Sequence, residues 1–162
     1  MTPDNKKEEI ILGIDPGTNR IGYGLIRVSG QKQEYIASGL IEIKEKYTPQ
    51  QLKTIHDRIN EVIDIYNPNK AAVEKLFFSN NKKTAISVSE ARGAILLTLA
   101  LRSIKTTELL PNEVKRTVTG YGQADKAAIL KMVGLLLKLK DFKPIDDTSD
   151  ALAIAIASSM VS

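Results

Sequence analysis

The order of its apolar stretches constrains this chain more than any other feature. Residues 10–15 form an apolar run that ends on a carboxylate. Residues 16–19 carry a turn signal, residues 21–26 resume as a glycine-containing strand, and residues 35–43 make a third strand. Thr48-Pro49-Gln50-Gln51 reads as a helix start, with the Thr48 hydroxyl as N-cap, proline at the first helical position and Gln three residues after the cap. That helix should end before Pro68, and Leu52, Ile55, Ile59, Val62, Ile63 and Tyr66 recur along it at a spacing that covers one side of a sheet. A strand over 71–76, a helix over about 83–103 and a strand near 107–110 follow. A short helix opens at Pro111-Asn112 and runs through Thr119, Asp125 caps another that runs to about Lys138, and a last one begins near Asp147. Three leading strands joined by tight turns, then alternating strand and helix, predict an α/β fold: a five-stranded mixed sheet flanked by helices on both faces.

With 162 residues, 43% of them hydrophobic, the chain can bury one core and is short for two, so residues 1–162 are expected to form a single domain. The absence of cysteine excludes disulfides and thiolate metal sites and fits a reducing compartment. The charged opening MTPDNKKEE lacks the apolar stretch of a secretory signal, and the longest apolar runs fall below the ~20 residues that span a bilayer. A soluble, cytoplasmic protein is the expectation. The net charge is +4, but residues 70–143 alone carry 14 Lys or Arg against 6 Asp or Glu. A phosphate-binding face and a solvated surface of Lys-rich helices both fit that bias.

Four carboxylates stand where the core pattern does not ask for them. Asp15 ends Ile10-Ile11-Leu12-Gly13-Ile14, where a buried strand would take another apolar side chain. Glu74 interrupts Ala71-Ala72-Val73 before Leu76, and a lone buried Glu is costly unless paired or neutralised. Asp147 and Asp150, three apart, share one face of the last helix beside Leu152, Ile154 and Ile156. Taken singly, Asp15 can cap the Pro-Gly-Thr turn and the two aspartates can cap a helix N-terminus. Taken together, carboxylates beside core runs on three elements suit two divalent cations. Hard oxygen ligands select Mg²⁺ or Mn²⁺, and two ions ~4 Å apart can activate water and stabilise a departing 3′ oxygen in phosphodiester hydrolysis.

Gly13-Ile14-Asp15-Pro16-Gly17-Thr18, Val73-Glu74, Glu90-Ala91-Arg92-Gly93 and Asp147-Thr148-Ser149-Asp150-Ala151-Leu152-Ala153 together resemble the RuvC family, bacterial Holliday-junction resolvases with a ribonuclease H-like fold. The resemblance spans nearly the whole chain. It implies that Asp15, Glu74, Asp147 and Asp150 are the catalytic metal ligands, holding two Mg²⁺ per subunit with Mn²⁺ able to substitute. It also implies paired symmetric nicks in four-way junction DNA, 5′-phosphate and 3′-hydroxyl ends, and a role in recombination and repair. Val114-Lys115-Arg116-Thr117-Val118-Thr119-Gly120 matches a family segment whose lysine, here Lys115, neutralises phosphate near the metals, and Lys126 matches a second such lysine. Phe77 falls where the family has an aromatic near the junction centre, a place from which it could stack on an unpaired base; core packing explains it almost as well. Arg92 is counted with these DNA-binding positions. The helix around Arg92-Gly93-Ala94-Ile95-Leu96-Leu97 resembles the one that pairs two subunits into a homodimer, and a RuvA/RuvB branch-migration complex is an implied partner. His56, away from every motif, is expected on the surface without a catalytic role.

Two other readings remain open on the residues. A YqgF-like nuclease acting on RNA shares the GIDPG opening and the acidic centre. An actin-like sugar or acetate kinase shares the acidic residue and Gly-Thr of its first phosphate loop, but needs a second loop and a second domain. A non-catalytic junction-binding relative would be expected to have lost a carboxylate.

Overall fold

Strand β1 (Glu9–Asp15) is the middle of the sheet, hydrogen-bonded on one side to β2 (Arg20–Ser29) and on the other to β4 (Lys70–Glu74). The structure is a computed structural model that describes residues 7–76, 82–144 and 146–161. β2 pairs antiparallel with β1 and with β3 (Lys32–Glu42), as the short turns between them require, whereas β4 pairs parallel with β1 and with β5 (Lys105–Leu109). The sheet order is therefore β3-β2-β1-β4-β5, five strands and mixed, as the element order predicts.

Helices α1 (Thr48–Tyr66) and α2 (Lys82–Leu101) are the crossovers into β4 and β5, and both cover one face of the sheet. Ile55, Ile59 and Ile63 of α1 and Ala91, Ile95 and Leu99 of α2 pack on Leu12, Ile14, Ala71 and Val73. The opposite face carries α3 (Pro111–Thr119), α4 (Lys126–Leu136) and α5 (Asp146–Met160), over Ile11, Ile26 and Ala72. Because side chains alternate along a strand, Asp15 shares the α5 face with Ile11 and Gly13, and Glu74 shares it with Ala72.

Several local expectations need correction. Thr48 does not cap α1: the cap position falls on Tyr47, which makes no side-chain cap, and Glu45 anchors the entry by accepting from Gln51 Nε2 at 2.6 Å and Thr54 Oγ1 at 2.7 Å. β4 stops at Glu74 rather than at 76, because its parallel register with β5 closes at Glu74 opposite Leu109. The segment Lys83–Leu101 reaches the length and apolarity of a membrane span, which the run lengths did not suggest. It lies across the sheet and α1 through Ala91, Ile95 and Leu99, and it leaves Ile86, Leu97 and Leu101 exposed. His56 is half-buried and bonded at both ring nitrogens. Thr98 Oγ1 donates to the Ala94 carbonyl and so accepts from His56 Nδ1 at 2.9 Å, while Asn60 Nδ2 donates to Nε2 at 3.1 Å. This histidine ties α1 to α2.

Candidate active site

The site forms at the C-terminal ends of the two parallel strands β1 and β4, where carboxylates on neighbouring strands of one face must approach each other. α5 is brought down on them by what β1 and β2 lack. A Cβ on Gly13 would lie 2.1 Å from the Ala151 carbonyl oxygen, and one on Gly22 would lie 2.1 Å from that of Asp147. With no side chain at either position, the α5 backbone rests on the sheet, and its small residues Ala151, Ala153 and Ala155 keep it there.

One carboxylate oxygen each from Asp15, Asp147 and Asp150 falls within 4.8 Å of the others, close enough for a shared cation. Glu74 joins the group from β4, hydrogen-bonded to Asp15 through the side chains and repelled by the charge of Asp150. Burial, followed by the negative charges of Glu74, Asp150 and Asp147, pushes the Asp15 carboxyl up to about 8. Burial and then Asp150 push Glu74 up to about 6, against the lowering influence of its hydrogen bond with Asp15 and, less, of Lys115. Crowding of this kind calls for a counter-charge, and half-buried all-oxygen donors are those a hard divalent cation prefers. The residues therefore fit the expected Mg²⁺ or Mn²⁺.

The four carboxylates singled out in the sequence come together. Lys115 and Lys126 line, with Glu74, Asp150, Pro111 and Val114, a cleft of about 210 Å³ on the β4 side of the cluster. Arg92 is placed differently from a backbone-reading cation. Its Nε donates to the Glu74 carbonyl oxygen at 3.0 Å, its guanidinium pairs with Glu108 on β5, and only 17% of its side chain is exposed. It stands behind Glu74, joining α2 to the ends of β4 and β5. Phe77 lies outside the described residues.

A residue not picked out by sequence is Arg20, at the start of β2, whose Nε lies 2.5 Å from Asp147 Oδ2. The available signal was the turn at 16–19. An antiparallel return from Asp15 puts the first cation of β2 beside the carboxylates, and the register Asp15 opposite Gly22 bears this out.

The family model for crossover junction endodeoxyribonuclease RuvC matches residues 11–158. Among curated relatives, the RuvC of Brachyspira hyodysenteriae is 47% identical over 150 residues, covering 91% of this chain and 92% of its own length. That of Pseudothermotoga lettingae is 44% identical over 147 residues, covering 90% and 91%. Among solved structures, Thermus thermophilus RuvC in complex with a Holliday junction substrate superposes with a TM-score of 0.87 at 28% identity, covering 94% of this chain and 93% of that one.

Proposed function

Because the chain belongs to the RuvC family of crossover junction endodeoxyribonucleases, we propose that it resolves four-way DNA junctions by hydrolysing phosphodiesters at Asp15, Glu74, Asp147 and Asp150. The observation that carries this reading is the convergence of Asp15, Asp147 and Asp150 within 4.8 Å, from a strand and a helix far apart in sequence, with Glu74 bonded to Asp15. Two Mg²⁺ ions, or Mn²⁺ in their place, would supply Lewis-acid activation of water and stabilisation of the leaving 3′ oxygen.

Each residue has its own part. Asp15 lies against both Glu74 and the α5 pair, so it would hold a cation together with either. Asp15 and Glu74 must give up the proton their raised affinities retain before both can act as ligands, so cation binding is linked to proton release. Lys115, beside Glu74, and Lys126 across the same cleft hold the DNA backbone without reading bases. Arg92 acts through Glu74, fixing the end of β4 from behind. In-line attack on phosphorus with departure of the 3′ oxygen gives 5′-phosphate and 3′-hydroxyl ends.

Symmetric nicking needs two such sites. The outer face of α2 supports a homodimer: Ile86, Leu97 and Leu101 are exposed there, and a cleft of about 500 Å³ between α1 and α2 is lined by Leu52, His56, Glu90, Gly93, Ala94, Leu97 and Leu101. An apolar surface of this kind fits a second copy rather than water. The protein would act on DNA in the cytoplasm. RNA processing is not favoured by the family match. The deciding experiment incubates the protein with a labelled four-way junction, a matched linear duplex and a structured RNA, each with Mg²⁺ and with chelator, while sedimentation gives the oligomeric state. Paired cation-dependent nicks in the junction by a dimer are expected. A monomer that cuts RNA as readily as junction would sink the resolvase reading.

A further inference from the structure

The turn between β1 and β2 raises a second wall beside the carboxylates. Residues 16–20 line, with Asp15 and Asp147, a cleft of about 470 Å³. The sheet order puts this cleft on the β2 side of Asp15, whereas Glu74 and the lysine cleft lie on the β4 side. A strand of DNA crossing the cluster would therefore meet Lys115 and Lys126 at one end and the turn at the other. The base of Arg20 is fixed there. Its backbone is in ladder register with Glu42, and the preceding Asn19 carbonyl accepts from Ile43 N–H at 2.8 Å. Its guanidinium is another matter, since 56% of the side chain is exposed while Nε touches Asp147 Oδ2 at 2.5 Å. The Arg20 end of this pair is open to water and so free to exchange, while Asp147, 23% exposed, stays in place.

We propose that Arg20 is a transferable counter-ion, which neutralises Asp147 when no cation is bound and passes to a DNA phosphate in the turn cleft when divalent cations occupy the carboxylates. The inference rests on reading the four carboxylates as a cation site. The charge balance gives the direction. Without cations, carboxylate oxygens of Asp15, Asp147 and Asp150 crowd within 4.8 Å of one another, and Arg20 relieves Asp147. Two divalent cations match the four carboxylates charge for charge, so the attraction of Asp147 for Arg20 falls just as a phosphate arrives. A planar guanidinium is suited to that phosphate, because its paired N–H groups match two phosphate oxygens.

The test compares the full-length wild-type protein with Arg20→Gln and Arg20→Lys. Calorimetry reads Mn²⁺ binding in the absence of DNA, and a salt series in Ca²⁺ reads the affinity for a synthetic four-way junction. Arg20→Gln should bind Mn²⁺ severalfold more tightly, having lost a competitor for Asp147. Its junction affinity should fall, with the log-log salt slope shallower by about 0.9, the loss of one phosphate contact. Arg20→Lys should keep the wild-type slope. An unchanged slope in Arg20→Gln overturns the proposal whatever happens to Mn²⁺. Unchanged or weaker Mn²⁺ binding overturns it as well, weaker binding making Arg20 a residue that merely orients Asp147. A wild-type protein that binds no Mn²⁺ would sink the cation site itself and this proposal with it, an outcome distinct from the others.

Discussion

Arg92 reaches Glu74 through the backbone: its Nε–H donates to the Glu74 carbonyl oxygen at 3.0 Å, on the same residue whose carboxyl is bonded to Asp15. Removing the guanidinium leaves that carbonyl without its donor and Glu108 without its ion pair, a loss of roughly 1–3 kcal/mol. Arg92→Ala should therefore lower the urea midpoint and weaken Mn²⁺ binding while the salt slope of junction binding stays as in wild type. A slope that drops by about one phosphate contact would return Arg92 to the DNA-binding surface.

Replacing a carboxylate by its amide keeps shape and removes the negative charge on which the proposed cation site depends. Asp15→Asn, Glu74→Gln and Asp150→Asn should each cut junction cleavage by on the order of 10³-fold or more, the kinetic equivalent of several kcal/mol of lost transition-state stabilisation. Junction binding should persist, because Lys115 and Lys126, proposed to hold phosphate, are untouched. Gel-resolved cleavage and binding on one substrate check both halves, and a variant that cuts at near wild-type rate has a turn or cap carboxylate at that position.

Lys115→Ala and Lys126→Ala should weaken binding to junctions of every sequence alike, each with a salt slope shallower by about 0.9. Lys115→Ala should do more. It removes the charge that lowers Glu74, so the proton on the carboxylate pair is held to higher pH and cleavage needs more alkaline conditions. Unchanged affinity together with an unchanged slope would assign both lysines to bulk solvent.

Stability and pH are linked with a definite sign. Asp15 and Glu74 hold protons up to about 8 and about 6, whereas the same groups in an unfolded chain release them at about 4. Unfolding then releases protons across that window, so in chelator the melting temperature should be highest at the acid end and fall as pH rises toward 8. At the proposed cation site divalent cations would displace those protons, and the stabilisation given by Mg²⁺ should be larger near pH 8 than near pH 5.5. Melts in chelator that do not change across this range would contradict the crowding of the carboxylates.

Gly22→Ala tests how the site is held together. The added methyl would meet the Asp147 carbonyl at 2.1 Å, so α5 must shift at a cost of about 1–3 kcal/mol. Cleavage should fall more than stability, since Asp147 moves with the backbone it belongs to. Full activity in this variant would show that α5 can lift without disturbing its carboxylates.

Much of this was legible because strands and helices announce themselves by period. Asp15 and Glu74 could be found since each breaks an apolar run, and Asp147 with Asp150 since their spacing puts both on one helix face. What sequence could not supply was the set of cross-element contacts. His56 reads as a surface residue until the register of α1 against α2 brings it to Thr98. Arg92 reads as a free cation until β5 brings Glu108 alongside. Arg20 reads as an ordinary cation beside a turn until the last helix brings Asp147 to it. The helix cap expected at Thr48 failed for a smaller reason: a hydroxyl before proline fits either the cap or the first turn, and Glu45 decided between them.

The seating of α5 on Gly13 and Gly22 also sets when, during synthesis, the four carboxylates can first come together. A ribosome that has made everything from β1 through α4 has released Asp15 and Glu74 but not Asp147 or Asp150. Such a nascent chain has two of the four carboxylates and no cover over the glycine face that receives them. With the carboxylates in their proposed roles, cleavage should wait until the last helix has been made and docks, and a chain cut short before α5 should not cut DNA.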